Sequence, residues 1–133
     1  MKYGLTDISY QKYKKALKRL QEALNEEETE IVIDGVLHRF EFTFELSWKT
    51  MKDCLEYMGI VNKTGSPREN IQLAFKQGLI DDGEMWINIM LDRNSLAHLY
   101  EEDTSREIYD NIKNKYMIEF KKLERKLEEI KKI

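Results

Sequence analysis

Apolar residues recur along nearly the whole chain at the three- and four-residue steps of an α-helix, with charged residues between them. From about Ser9 to Glu26, Tyr13, Leu17, Leu20 and Leu24 fall on one stripe with lysines opposite, which predicts a first amphipathic helix. A longer run from about Thr29 to Met58 carries Ile33, Val36, Leu37, Phe40, Phe44, Trp48, Met51, Leu55 and Met58 in the same rhythm. Gly59 suits the left-handed position just past a helix end. Val32, Phe42 and Leu46 lie off that stripe, so this helix is expected to be covered on more than one face, by its own bundle or by a second subunit.

Ser66-Pro67-Arg68-Glu69 reads as a helix start, with Ser66 as cap, Pro67 in the first position and Glu69 completing a capping box. The short helix that follows should bury Ile71, Ala74 and Phe75 and stop at Gly78. Asp81 or Asp82 then caps a fourth helix running through Trp86, Ile89 and Met90 toward His98, followed by an acidic turn, Glu101-Glu102-Asp103. Thr104, paired with Glu107, is expected to open the last helix, which carries Ile108, Ile112, Tyr116, Phe120, Leu123, Leu127 and Ile130. The prediction is an all-α, antiparallel up-and-down bundle of four main helices plus a short one, in a single domain over residues 1–133.

Composition strengthens the helical reading, because 41% hydrophobic and 35% charged residues with one proline leave few of the turn residues that many short strands need. The 133 residues suffice to bury a core without disulfides or a structural metal. A net charge of −3 excludes a surface that is basic throughout, so any contact with RNA must be local or supplied by a partner. The lone Cys54 has no second thiol for a disulfide or a metal-ligand set, which suits a reducing cytoplasm. The opening MKYGLTDISYQKYKK has no apolar run of the signal-peptide kind, and no stretch of about eighteen apolar residues occurs, so a cytoplasmic protein without a membrane segment is expected.

One segment carries chemistry: Asp92-Arg93-Asn94-Ser95-Leu96-Ala97-His98-Leu99-Tyr100. An imidazole titrates near neutrality and can take the proton of an attacking hydroxyl or return one to a leaving oxygen. A guanidinium offers a planar fork to the phosphate charge that builds in the transition state. That route needs no metal or other cofactor, and the sequence holds no convincing ligand cluster. In a regular α-helix a residue and the fifth beyond it lie about 140° apart around the axis, so Arg93 and His98 of one chain should not face each other squarely. A long arginine side chain, a distorted helix end or a second subunit could each close the gap.

Arg93-Asn94-Ser95-Leu96-Ala97-His98-Leu99-Tyr100 resembles the R-N-x-x-A-H-x-Y signature of HEPN domains, in particular the nucleotidyltransferase substrate-binding, HepT-like branch. Phe40-Glu41-Phe42-Thr43-Phe44-Glu45-Leu46-Ser47-Trp48-Lys49, Ser66-Pro67-Arg68-Glu69 and Trp86 are similar to the same branch in type and order. The resemblance implies a homodimeric helical bundle acting as a metal-independent endoribonuclease toxin on RNA. Arg93 and His98 would be catalytic, and Asn94 would either orient the motif or merely decorate the helix. It further implies a cognate MNT-type nucleotidyltransferase antitoxin that transfers AMP to Tyr100, where added phosphate would repel and occlude an RNA phosphate. The alternative implied by the same branch is a non-catalytic substrate-binding subunit of a two-component nucleotidyltransferase. Outside this segment, Phe40, Phe44, Trp48 and Trp86 read as core or interface, His38 as an ordinary helical residue, and Glu45 with Lys49 as an i, i+4 ion pair.

Overall fold

The computed structural model describes residues 5–98 and 102–131, and every regular element among them is helical. Helix α1 (Leu5–Leu24) buries the predicted stripe of Tyr13, Leu17, Leu20 and Leu24, together with Tyr10, Ala16 and Ala23. Helix α2 (Glu30–Tyr57) begins at Thr29, whose side chain accepts the Val32 N–H, and is closed by Gly59 at φ +80°, a backbone conformation that costs glycine least.

The face of α2 turned to α1 is set by small hydroxyl residues. Thr43, Ser47 and Thr50 are fully buried and donate to carbonyl oxygens of their own helix at 2.6–2.7 Å, with Thr43 and Thr50 also reaching Ala16 O and Ser9 O of α1 at 3.4 and 3.3 Å. Small side chains allow the two helices to approach, and the hydroxyls satisfy themselves locally, so none of the three is stranded.

Helix α3 (Pro67–Lys76) starts as predicted, with Ser66 Oγ accepting the Glu69 N–H at 3.1 Å and Pro67 in the first turn. The capping box is not closed in the expected way. Glu69 turns back onto the preceding linker and accepts from the backbone N–H groups of Lys63, Thr64 and Gly65 at 2.7–2.8 Å, and from the Thr64 hydroxyl. Phe75, expected in the core, is 52% exposed. Its ring lies over the start of α4, where a Cβ on Gly83 would meet it at 3.1 Å.

Helix α4 (Gly83–Ser95) is capped by Asp82, which accepts the Met85 N–H at 2.9 Å, and ends in a 3₁₀ turn over Leu96–His98. Helix α5 (Glu102–Asn111) begins two residues before the expected Thr104. It passes through a π-helical turn (Ile112–Tyr116) into α6 (Met117–Lys131) with helical dihedrals on both flanks, so residues 102–131 form one unbroken run.

The buried side chains make one contiguous cluster with Phe120 of α6 at its centre. Trp86 meets it edge-on at 5.5 Å, Phe40 lies at 6.1 Å and Tyr13 at 6.5 Å, while Tyr116 stacks on Phe40 at 5.9 Å. Cys54 belongs to this cluster, and burial pushes its thiol up to about 12, away from nucleophilic chemistry. Among the described residues no helix is long and apolar enough to cross a membrane.

Candidate functional site

Arg93 stands in the last turn of α4 and reaches across to α2, where Nη2 donates to Glu45 Oε2 at 2.8 Å. The same carboxylate oxygen accepts from Trp48 Nε1 at 3.3 Å, and its neighbour lies 3.4 Å from Lys49 Nζ. Three donors therefore converge on Glu45. The Arg93–Glu45 pair is partly covered, with side-chain exposures of 27% and 30%, which keeps its geometry while leaving the guanidinium open to solvent on one side. Arg93 Nε is buried without a partner, and Nη1 makes only a long contact of 3.4 Å to Asn94 Oδ1.

The residue before the arginine is anchored from the other direction. Asp92 Oδ2 accepts from the Tyr116 hydroxyl at 2.5 Å and from Asn111 Nδ2 at 3.2 Å, two donors that bracket the π-helical turn. Such turns insert one residue into a helix and re-aim the side chains around it. Here the turn brings Tyr116 under α4, and burial followed by the bond to Asp92 raises the tyrosine well above its ordinary range, so it stays a donor. Asp92 and Glu45 thus fix the C-terminal end of α4 from two helices.

His98 closes the 3₁₀ turn, is exposed, and makes no hydrogen bond to another described residue. Asn94 is also exposed, with its amide oxygen turned toward Arg93. Tyr100 lies outside the described residues. The distorted helix end anticipated as one way of joining Arg93 to His98 exists, yet its effect is the opposite. A 3₁₀ turn advances about 120° per residue, so the two side chains leave the axis roughly 160° apart, further than in a regular α-helix. Arg93 is bonded to α2, whereas His98 is exposed and bonded to no described residue.

The sequence reading named Arg93, His98 and Asn94 as candidates but missed the residues that anchor Arg93 and its neighbour Asp92. Glu45 was accounted for by its pair with Lys49, which exists and is secondary to the bond from Arg93. Asp92, Asn111 and Tyr116 gave no signal of their own, since Tyr116 sits on the apolar stripe of the last helix and only the π turn reveals its hydroxyl. Among the described residues no group of three or more His, Cys, Asp or Glu side chains is arranged to hold a metal ion.

Three similarities bear on this arrangement. Residues 8–129 match the family described as nucleotidyltransferase substrate binding protein like. Over 84 residues the chain is 31% identical to the probable ribonuclease HepT of Haemophilus influenzae, an overlap that takes in 61% of this chain and 58% of that protein's length. A crystal structure of a protein from Thermus thermophilus superposes with a TM-score of 0.72 at 28% identity, over 89% of this chain and 97% of that one. The helical bundle, the Arg93-to-His98 segment on it and the match across nearly the whole chain place this protein in the nucleotidyltransferase substrate binding protein like family, within the HepT-like branch of HEPN proteins.

Proposed function

We propose that the chain is an endoribonuclease of the HEPN type, working as a homodimer and silenced by a cognate MNT-type nucleotidyltransferase that transfers AMP to Tyr100. The observation that carries this reading is the division of labour at the end of α4. Arg93 is fixed by Glu45, whereas His98 in the next turn is exposed and bound to no described residue. An exposed imidazole and an anchored guanidinium at the same helix end are the two groups that phosphate-ester cleavage needs.

In this mechanism His98 takes the proton from the ribose 2′-hydroxyl as that oxygen attacks phosphorus. The new P–O2′ bond forms, the P–O5′ bond breaks, and the leaving oxygen is protonated by a second imidazole, the partner subunit's His98. Arg93 neutralises the charge on the non-bridging oxygens. The wide angle between Arg93 and His98 favours a site assembled from two chains, each supplying to the shared cleft what the other directs away from it. Phe42 supports the dimer, because it is 61% exposed one helical turn from Glu45, where a second copy would cover it. AMP on Tyr100 would add phosphate charge two residues from His98 and repel the RNA backbone.

The test is incubation of purified protein with RNA in EDTA. Fragments ending in 2′,3′-cyclic phosphate are expected from the wild type, with Arg93→Ala at least about 100-fold slower; intact RNA in the wild-type reaction would refute the mechanism. The family's own description favours a second reading, a non-catalytic subunit that presents substrate to a nucleotidyltransferase. Under it the wild type binds the transferase and leaves RNA whole.

A further inference from the structure

The net charge of −3 conceals an uneven distribution. Between Ile8 and Gln21 the chain has five basic residues and no acidic one, and these belong to α1. Helix α6 packs beside α1, and a groove of about 540 Å³ runs between them. Lys14, Lys15 and Lys18 line it from α1, Lys121 and Arg125 from α6, and buried Leu17 contributes to its lining. The carboxylates in the groove are Glu22 and Glu124, so cations outnumber anions five to two.

Two further observations give this groove a direction and an occupant. Lys14 and Lys18 are one turn apart on α1, as are Lys121 and Arg125 on α6, so cations repeat about every 5–6 Å along both walls. None of the five makes an ion pair or hydrogen bond with another described residue, whereas the neighbouring Lys122 and Lys126 are paired with Asp81, Glu119 and Glu129. Unneutralised charge in parallel rows matches a polyanion lying along the groove and releasing its counterions. A protein partner fits less well, because lysine is depleted from the cores of protein interfaces and the groove offers no aromatic anchor.

We infer that the α1–α6 groove is a phosphate-backbone binding track for RNA, separate from the Arg93–Glu45 pairing on α2 and α4. This rests on the proposal that RNA is the substrate. The track supplies the local attraction that an acidic protein otherwise lacks, and it reads no base, since it presents only charge.

The test uses a fluorescein-labelled, single-stranded 2′-O-methyl RNA, whose blocked 2′-oxygen separates binding from cleavage. Fluorescence anisotropy is measured across a salt series for the wild type and for a variant with Lys14→Ala, Lys18→Ala, Lys121→Ala and Arg125→Ala. These four residues are exposed, and circular dichroism checks helicity. A control carries the same charge change at exposed positions elsewhere, Lys63→Ala, Lys76→Ala, Lys113→Ala and Lys115→Ala. The expected result is a loss of affinity on the order of 100-fold at about 0.1 M salt in the groove variant, with a salt slope shallower by up to about 3, and near-wild-type binding in the control. Equal loss in both variants would reduce the effect to overall charge and overturn the inference. Unchanged RNA binding with lost binding of a polyglutamate peptide would overturn it in favour of an acidic protein partner. Binding through the groove without cutting of unmodified RNA would sink the ribonuclease reading alone, and cutting with groove-independent binding would sink the track alone.

Discussion

Under the proposed mechanism, the bond from Arg93 to Glu45 would make the guanidinium ready before any ligand arrives. A long, flexible cation loses rotamer freedom when it binds phosphate; the bond to Glu45 has already taken up part of that cost. Because the pair is partly exposed, its contribution to stability is modest, at most about 1 kcal/mol. Its effect should appear in rate instead. Glu45→Gln is expected to leave the melting temperature within a few degrees of wild type while slowing RNA cleavage about tenfold, measured on the same preparation. An unchanged rate would show that Arg93 needs no anchor. At this scale the sequence was informative about residue identity and silent about support. Arg93 and His98 stand in a recognisable order, but the partners of Asp92 and Arg93 come from residues 19 to 48 positions away, which no local pattern reports.

At the scale of elements, the linker that opens α3 is held by a single carboxylate. Glu69 gathers three backbone N–H groups and a hydroxyl, and these bonds, led by that from Lys63, lower its carboxyl to about 2. The folded-state value lies below the ordinary 4.5, so the stabilisation is fully present above about 4.5 and is lost as pH falls through about 2. Wild type should therefore melt higher than Glu69→Gln at neutral pH, and thermal scans from neutral pH down to about 2 should show the two curves converging at the acid end. A gap independent of pH would mean that charge on Glu69 is irrelevant. The helices themselves were legible because period and capping agree: Thr29, Ser66 and Asp82 all cap where the pattern placed a start. What escaped was geometry that depends on a neighbour. Phe75 left the core because it packs over Gly83, and the π turn near Tyr116 preserves the apolar stripe while shifting its phase.

On the scale of the whole molecule, two exposed features remain unexplained by a lone chain. One is Phe42, a large apolar side chain exposed on α2, as Ile31 and Tyr57 also are; the other is His98, exposed and bonded to no described residue. A two-fold pairing through α2 accounts for both. Sedimentation should find wild type as a dimer at micromolar concentration and Phe42→Asp as a folded monomer with little ribonuclease activity; a dimeric Phe42→Asp would move the interface elsewhere. The sequence placed Phe42 off the main stripe and left open whether a helix or a subunit would cover it; no described helix of the same chain does, since Phe42 is exposed.

The most direct measurement is cleavage of unmodified RNA in EDTA by wild type and His98→Ala, at equal concentration and matched helicity. His98 is exposed and bonded to no described residue, so its removal should not disturb the fold. The account predicts cyclic-phosphate fragments from wild type and at least about a 100-fold slower reaction in the variant. Equal cleavage by both, or none by either, would contradict it.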